Sequence, residues 1–202
     1  MTFRKDKKHI AIFASGMGSN AQKIINHFAS RDKNAKVALI VCNNPNAGVL
    51  KISKKENIPS LIIERGKFTE DGYVNELKKY EIDLIILAGF LWKVPGALIQ
   101  SYANKIINIH PALLPKFGGK GMFGNRVHEE VINSKEKESG ITIHYVDEIY
   151  DHGKIIFQVK CKVEENDTPE ILAKKIHTLE HTHYPIIIER IFTSLSPETT
   201  DE

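Results

Sequence analysis

The chain has 202 residues, with 28 lysines and arginines against 25 aspartates and glutamates, a formal net charge of +3. So small a surplus excludes a protein whose work is neutralising phosphates along a duplex, and at this length about 70% of the open-chain surface can be buried without a stapling disulfide or metal. No apolar stretch approaches the roughly 18 residues of a membrane span, and the two cysteines, Cys42 and Cys161, sit in apolar runs as small buried side chains, which points to a reducing, cytoplasmic setting.

In chain order, the basic run Arg4, Lys5, Lys7 and Lys8 beside Asp6 reads as a solvated tail. Residues 10–14, 37–42, 61–64, 84–88 and 106–109 are short, almost continuously apolar runs, which predicts strands buried on both faces. Between them Ala21, Ile24, Ile25 and Phe28, and then Tyr73, Leu77 and Tyr80, recur at helical spacing. Strands alternating with helices predict a parallel sheet with right-handed crossovers. After about residue 138 the rhythm changes. Ile141, Ile143 and Tyr145 alternate with Thr142 and His144, and residues 155–163 follow a turn at Gly153, which predicts an antiparallel pair. A last helix starts near Asp167 or Thr168, carries Pro169 and Glu170 in its first turn, and runs to about Arg190 with a kink at Pro185. The fold class expected is α/β, a Rossmann-like open twisted sheet, mostly parallel with an antiparallel C-terminal part and helices on both faces. Residues 1–192 form one domain in this reading, and 193–202 a flexible polar tail.

In an open α/β sheet the ligand lies beyond the carboxyl ends of the strands. Directly after the first strand comes Ser15-Gly16-Met17-Gly18-Ser19-Asn20-Ala21, opening the first helix. Glycines let the backbone approach an anion, Ser19 or Asn20 caps the helix, and the helix N-terminus attracts phosphate. The run fits G-x-G-x-x-A, but a dinucleotide site needs an acid after the second strand, and no Asp or Glu occurs between residues 34 and 55. A mononucleotide-type phosphate is favoured over NAD or FAD, with a structural turn as the alternative.

Asn108 and His110 are two apart in a strand and share a face, and Pro111 keeps His110 extended. An amide and an imidazole side by side suit a developing oxyanion. Asp151 ends the alternating run before Gly153, where it either raises a neighbouring histidine's basicity and relays a proton through water, or simply makes an Asx turn with Gly153. No G-x-S-x-G elbow is present, so the attacking group comes from a substrate, as in a two-substrate transferase. His177, Glu180 and His181 read as H-x-x-E-H, but only 21 residues follow His181, leaving little room for a third zinc ligand, and no metal is expected. Glu180 accepts from sugar hydroxyls or lies on a solvated face. His128, with Glu129 and Glu130, reads as exposed helical surface, and His9, His27 and His152 as bland surface or core residues.

Ser15 to Asn20, Leu87-Ala-Gly-Phe90, Asn108-Ile-His-Pro-Ala-Leu-Leu-Pro115, the run from Gly140 to Gly153 and Leu179 to Pro185 occur in this order. Together they resemble the phosphoribosylglycinamide formyltransferase family of purine biosynthesis, over residues 9–192. The resemblance implies that Gly18, Ser19 and Asn20 hold the phosphate of glycinamide ribonucleotide and Glu180 its ribose hydroxyls. It implies that Asn108 and a protonated His110 stabilise the oxyanion, and that Asp151 supports His110 and helps to move the proton. It places the co-substrate 10-formyltetrahydrofolate against Leu87, Leu91, Trp92, Val94, Val146 and Asp151, with no metal, no nucleic acid or membrane partner, and a monomer or homodimer. Two departures stand out: Leu91-Trp92 replaces the Met-Arg of many members, and residues 116–124 are glycine-rich, which suggests a mobile lid. A formyltetrahydrofolate deformylase is the rival reading, disfavoured by the short segment before His9; methionyl-tRNA formyltransferase would be longer and more basic. A non-catalytic nucleotide-binding protein is the remoter alternative.

Overall fold

The computed structural model describes residues 7–30 and 32–194, so the basic run up to residue 6 and the tail from 195 onward lie outside the described residues. Four of the five apolar runs become central strands; the one at 60–62 is instead the edge of the sheet, with Ser60 and Ile62 exposed rather than buried on both faces. β1 (Lys8–Ala14), β2 (Ala35–Cys42), β3 (Ser60–Ile62), β4 (Ile82–Leu87) and β5 (Ile106–His110) pair in parallel. β6 (Glu138–Tyr145) and β7 (Ile155–Lys162) then add in antiparallel sense. The strand order is β3-β2-β1-β4-β5-β6-β7, so the chain reverses direction across the sheet between β1 and β4. At that switch point the loops after neighbouring strands part and leave a crevice.

Because side chains alternate along a strand, the sheet carries two cores. Ile12, Ile40, Ile86 and Ile107 point to the face covered by α1 (Ser19–Phe28) and α7 (Pro169–Ser194). Phe13, Leu39 and Ile85 point to the other, where Phe68 of α3 (Arg65–Asp71), Leu77 of α4 (Val74–Lys79) and Leu98 of α5 (Gly96–Ser101) cover them. α2 (Gly48–Lys55) joins the first group through Val49. The fully buried Tyr184 of α7 donates its hydroxyl to the carbonyls of Leu87 (3.0 Å) and Ile107 (3.3 Å), tying the helix to the ends of β4 and β5, beside the crevice.

Three boundaries differ from expectation. α7 passes through Pro185 without interruption and continues to Ser194, beyond Arg190 and two residues into the segment read as tail. The missing N–H of Pro185 costs one bond, while Tyr184, Ile187 and Ile188 hold the helix by burial on both sides of it. The Tyr73, Leu77, Tyr80 repeat yields only a six-residue helix, because Tyr73 takes a left-handed conformation (φ 54°) to donate its hydroxyl-bearing ring to the core and accept the Glu64 N–H at 3.0 Å. β3 stops at Ile62, since Glu64 opens α3.

Candidate active site

β1 delivers the chain into the crevice at Ser15, whose N–H donates to the Gly89 carbonyl (3.0 Å) and whose hydroxyl accepts the Leu91 N–H (2.9 Å). The glycine loop is thereby fastened to the loop after β4. The α1 cap is Gly18, not Ser19 or Asn20, and it makes no side-chain cap bond. Gly18 is left-handed (φ 81°), and a Cβ there would lie 2.8 Å from Val49 Cβ, so the backbone can approach α2 only as glycine. With no side chain at the cap, the first-turn N–H groups of α1 have no side-chain acceptor, which suits an anion. Asn20 is drawn away from capping because its Nδ2 donates to Glu180 Oε2 at 2.9 Å across the crevice. Its own Oδ1 is buried without a partner. Burial pushes the Glu180 carboxyl up, against the Asn20 hydrogen bond and His177, so this acid is held in the pocket at the expense of its charge.

The β5–β6 register places Asn108 directly opposite His144 and His110 opposite Thr142. Directly opposed side chains meet on one face. His144 Nδ1–H donates to the Tyr145 carbonyl (2.8 Å), and its Nε2 faces both Asn108 Nδ2 (3.1 Å) and Asp151 Oδ1 (3.6 Å). The second Asn108 N–H reaches Asp151 Oδ1 at 3.5 Å. Asp151 Oδ2 accepts the Gly119 N–H (2.9 Å) and lies 3.6 Å from His110 Nδ1. Its side chain therefore closes on the strand pair rather than on Gly153. Burial tends to raise the Asp151 carboxyl, but His144, the His110 ring and the Gly119 N–H outweigh it and hold it below the usual range.

His144 is the member that sequence reading passed over. Its alternation with Ile143 was visible, but the register that sets it beside Asn108 was not. Thr142 and His144 are both buried, because the segment after β5 covers that face. Thr142 Oγ1 donates to the Ala112 carbonyl (2.7 Å) and accepts from Leu114 N–H (3.0 Å) and Gln158 Nε2 (2.8 Å). This network fixes the chain just after His110 and steers residues 116–124 back over it. There Phe117 C=O accepts from His110 Nε2–H at 2.7 Å. A protonated His110, as the resemblance implied, is opposed by burial, which pushes the ring's pKa below its ordinary value despite the Asp151 charge and the Phe117 carbonyl.

These groups share one cavity of about 530 Å³. Gly18, Ser19, Asn20 and Glu180 line it together with Asn108, His110, His144 and Asp151. Leu87, Leu91, Trp92, Val94 and Val146 form the apolar wall. The residues to which the resemblance gives a part in binding or catalysis thus all line a single cavity.

The chain matches the formyl transferase family over residues 8–188. It is 40% identical over 191 residues to a chloroplastic phosphoribosylglycinamide formyltransferase of Arabidopsis thaliana, covering 92% of this chain and 65% of that protein. It is 39% identical over 189 residues to the phosphoribosylglycinamide formyltransferase of Bacillus subtilis, covering 91% and 94%. The crystal structure of the Bacillus halodurans phosphoribosylglycinamide formyltransferase superposes with a TM-score of 0.86 at 36% identity, over 96% of this chain and 100% of that one. The chain belongs to the formyl transferase family.

Within this formyl transferase, Trp92 is half-buried and packs beside Phe68 (6.0 Å between ring centroids) and Phe90 (6.4 Å), with the Arg65 guanidinium 5.8 Å from its ring. It anchors the apolar wall in the second core. The H-x-x-E-H run is divided by its own geometry: Glu180 turns inward to Asn20, while the His177 and His181 rings stack on each other at 6.1 Å. Among the described residues no group of three His, Cys, Asp or Glu side chains could hold a metal ion.

His128 corrects the expectation of an exposed helix face. It lies on α6 (Asn125–Asn133), is 3% exposed, and is buried with Val127 and Val131. Its Nδ1 has no partner, and burial, with the charges of His177 and His110, pushes its pKa down to about 4. The unfolded chain binds this proton near pH 6.5 and the folded one only near 4. The neutral ring's stabilisation is therefore complete above about 6.5 and lost as pH falls towards 4, by about 3 kcal/mol. Urea unfolding of His128→Asn across this window is expected to show a flatter pH dependence than the parent; an unchanged slope would count against the assignment.

Proposed function

We propose that this formyl transferase moves the formyl group of 10-formyltetrahydrofolate onto the free amine of glycinamide ribonucleotide. The observation that carries the reading is the meeting, in one cavity, of an anion-suited glycine loop with the Asn108, His110 and Asp151 cluster. The ribonucleotide phosphate sits at Gly18, Ser19 and Asn20, and Glu180 accepts from the ribose hydroxyls. The folate lies along Leu87, Leu91, Trp92, Val94 and Val146, beside Asp151. The relatives' name, phosphoribosylglycinamide formyltransferase, supports the formyl transfer and the ribonucleotide acceptor.

In the proposed sequence the amine nitrogen attacks the formyl carbon and the carbonyl π pair moves to oxygen. The oxyanion takes the Asn108 N–H now spent on the longer bond to Asp151, and takes the place of the Phe117 carbonyl on His110 Nε2–H. Asp151, through its contact with His110 and through water, carries the amine's proton to the departing folate nitrogen as the C–N bond to folate breaks. No group of the protein bonds to either substrate. Displacement of the Phe117 carbonyl gives residues 116–124 the part of a lid, as their glycines suggest. Residues 7–194 act as one formyltransferase domain working in the cytoplasm.

Absorbance assay with a 10-formylfolate, with and without glycinamide ribonucleotide, tests the reading. Turnover that requires the ribonucleotide is expected; loss of formyl without it would replace transfer by hydrolysis.

A further inference from the structure

The loop between β6 and β7 carries Asp151 in a left-handed conformation (φ 54°), one that Asp adopts more readily than most residues and that its surroundings here select. The loop is closed at its base: Tyr145 N–H donates to the Lys154 carbonyl at 2.9 Å, and a Cβ on Gly153 would collide with the Tyr145 carbonyl. Inside it, one carboxylate reaches both flanks of Asp151. Asp147 Oδ1 accepts the Ile149 N–H (2.8 Å), and Oδ2 accepts from His152 Nδ1 (3.0 Å). Between these two anchors Ile149 and Tyr150, both exposed, are presented to the cavity, with Lys93 Nζ 5.8 Å from the Tyr150 ring.

We infer that Asp147 is a positioning residue for formyl transfer: stapled to His152 and to the Ile149 N–H, it holds the turn that aims Asp151 at His110, Asn108 and His144. The inference rests on the catalytic part given to Asp151 above. Asp147 touches neither reacting atom in this scheme. The bond it makes is geometric rather than ionic in its purpose, because an exposed pair of charges is worth under about 1 kcal/mol as an ion pair. What it supplies is a fixed turn, and a displacement of about 1 Å at a catalytic group costs up to about 10²-fold in rate. The staple also explains why the Asp147 carboxyl sits below its usual range: burial raises it, and the His152 and Ile149 hydrogen bonds prevail.

Asp147→Ala and Asp147→Asn test the inference. The asparagine keeps an acceptor for the Ile149 N–H and can donate to a neutral His152 ring. Asp147→Ala is expected to lower kcat about 10-fold with the ribonucleotide KM unchanged, and Asp147→Asn to stay within about 3-fold of the parent. Amide hydrogen exchange at residues 149–152 should accelerate in Asp147→Ala and not in Asp147→Asn. This readout does not depend on activity, so it judges the staple even if the parent protein failed to transfer formyl, an outcome that would sink the functional reading instead. Unchanged kcat and exchange in Asp147→Ala, or equal damage in both variants, would overturn the inference.

Discussion

Replacing Asn108 or His110 with alanine is expected to lower kcat by roughly 10²-fold or more, the usual consequence of removing one oxyanion donor, while ribonucleotide binding stays largely intact. The separation follows from the layout of the cavity. The glycine loop is built from β1 and α1 and braced by Ser15 against Gly89 and Leu91, none of which depends on the Asn108 or His110 side chains. Asp151→Asn adds a pH signature. The carboxylate pulls the His110 pKa up against burial, so its loss should move any limb of the kcat/KM profile that His110 governs to lower pH. Steady-state kinetics with isothermal titration of the ribonucleotide would read both effects. Unchanged turnover in either alanine variant would remove that residue from the mechanism.

Glu180 should show the second large effect, and with a stability change of opposite sense. A carboxylate accepting from sugar hydroxyls contributes about 1.5–3 kcal/mol per hydrogen bond, so Glu180→Ala is expected to raise the ribonucleotide KM by about 10- to 150-fold with a smaller change in kcat. The folded-state pKa of Glu180 is raised, mainly by burial. Its favourable contribution is therefore present below the unfolded carboxylic pKa and lost as pH rises through the folded value. Glu180→Gln keeps an acceptor for the Asn20 amide and removes the buried charge. It is expected to be more stable than the parent at pH 7–8 and no more stable near pH 4, while binding the ribonucleotide more weakly. Such a trade of stability for function is common where a polar group is kept for a ligand. Thermal unfolding across that pH range checks the sign, and a Glu180→Gln variant less stable than the parent at pH 8 would refute it.

The contrast between Asn108 and His128 shows what can be read from a chain and what cannot. Asn108 and His110 announced themselves by local rules, two residues apart in an apolar run and followed by proline. His128 sat among glutamates on a helix with every local sign of exposure. Only the packing of α6 places it in the interior with Val127 and Val131. Asn20 was legible as a residue of an anion loop but not as the partner of Glu180, 160 positions away.

The strands, their parallel and antiparallel division, the glycine turn and the identity of the polar residues beyond the strand ends were all determined by the sequence. Periodicity and backbone chemistry act over a few residues, and a few residues suffice to display them. Tertiary structure alone decided that β5 and β6 pair with Asn108 opposite His144, that Gly18 rather than a side chain caps α1, and that Phe117 and Gly119 fold back onto His110 and Asp151. Strand register and loop return are settled by contacts between segments far apart in the chain, whose free energies no local pattern encodes.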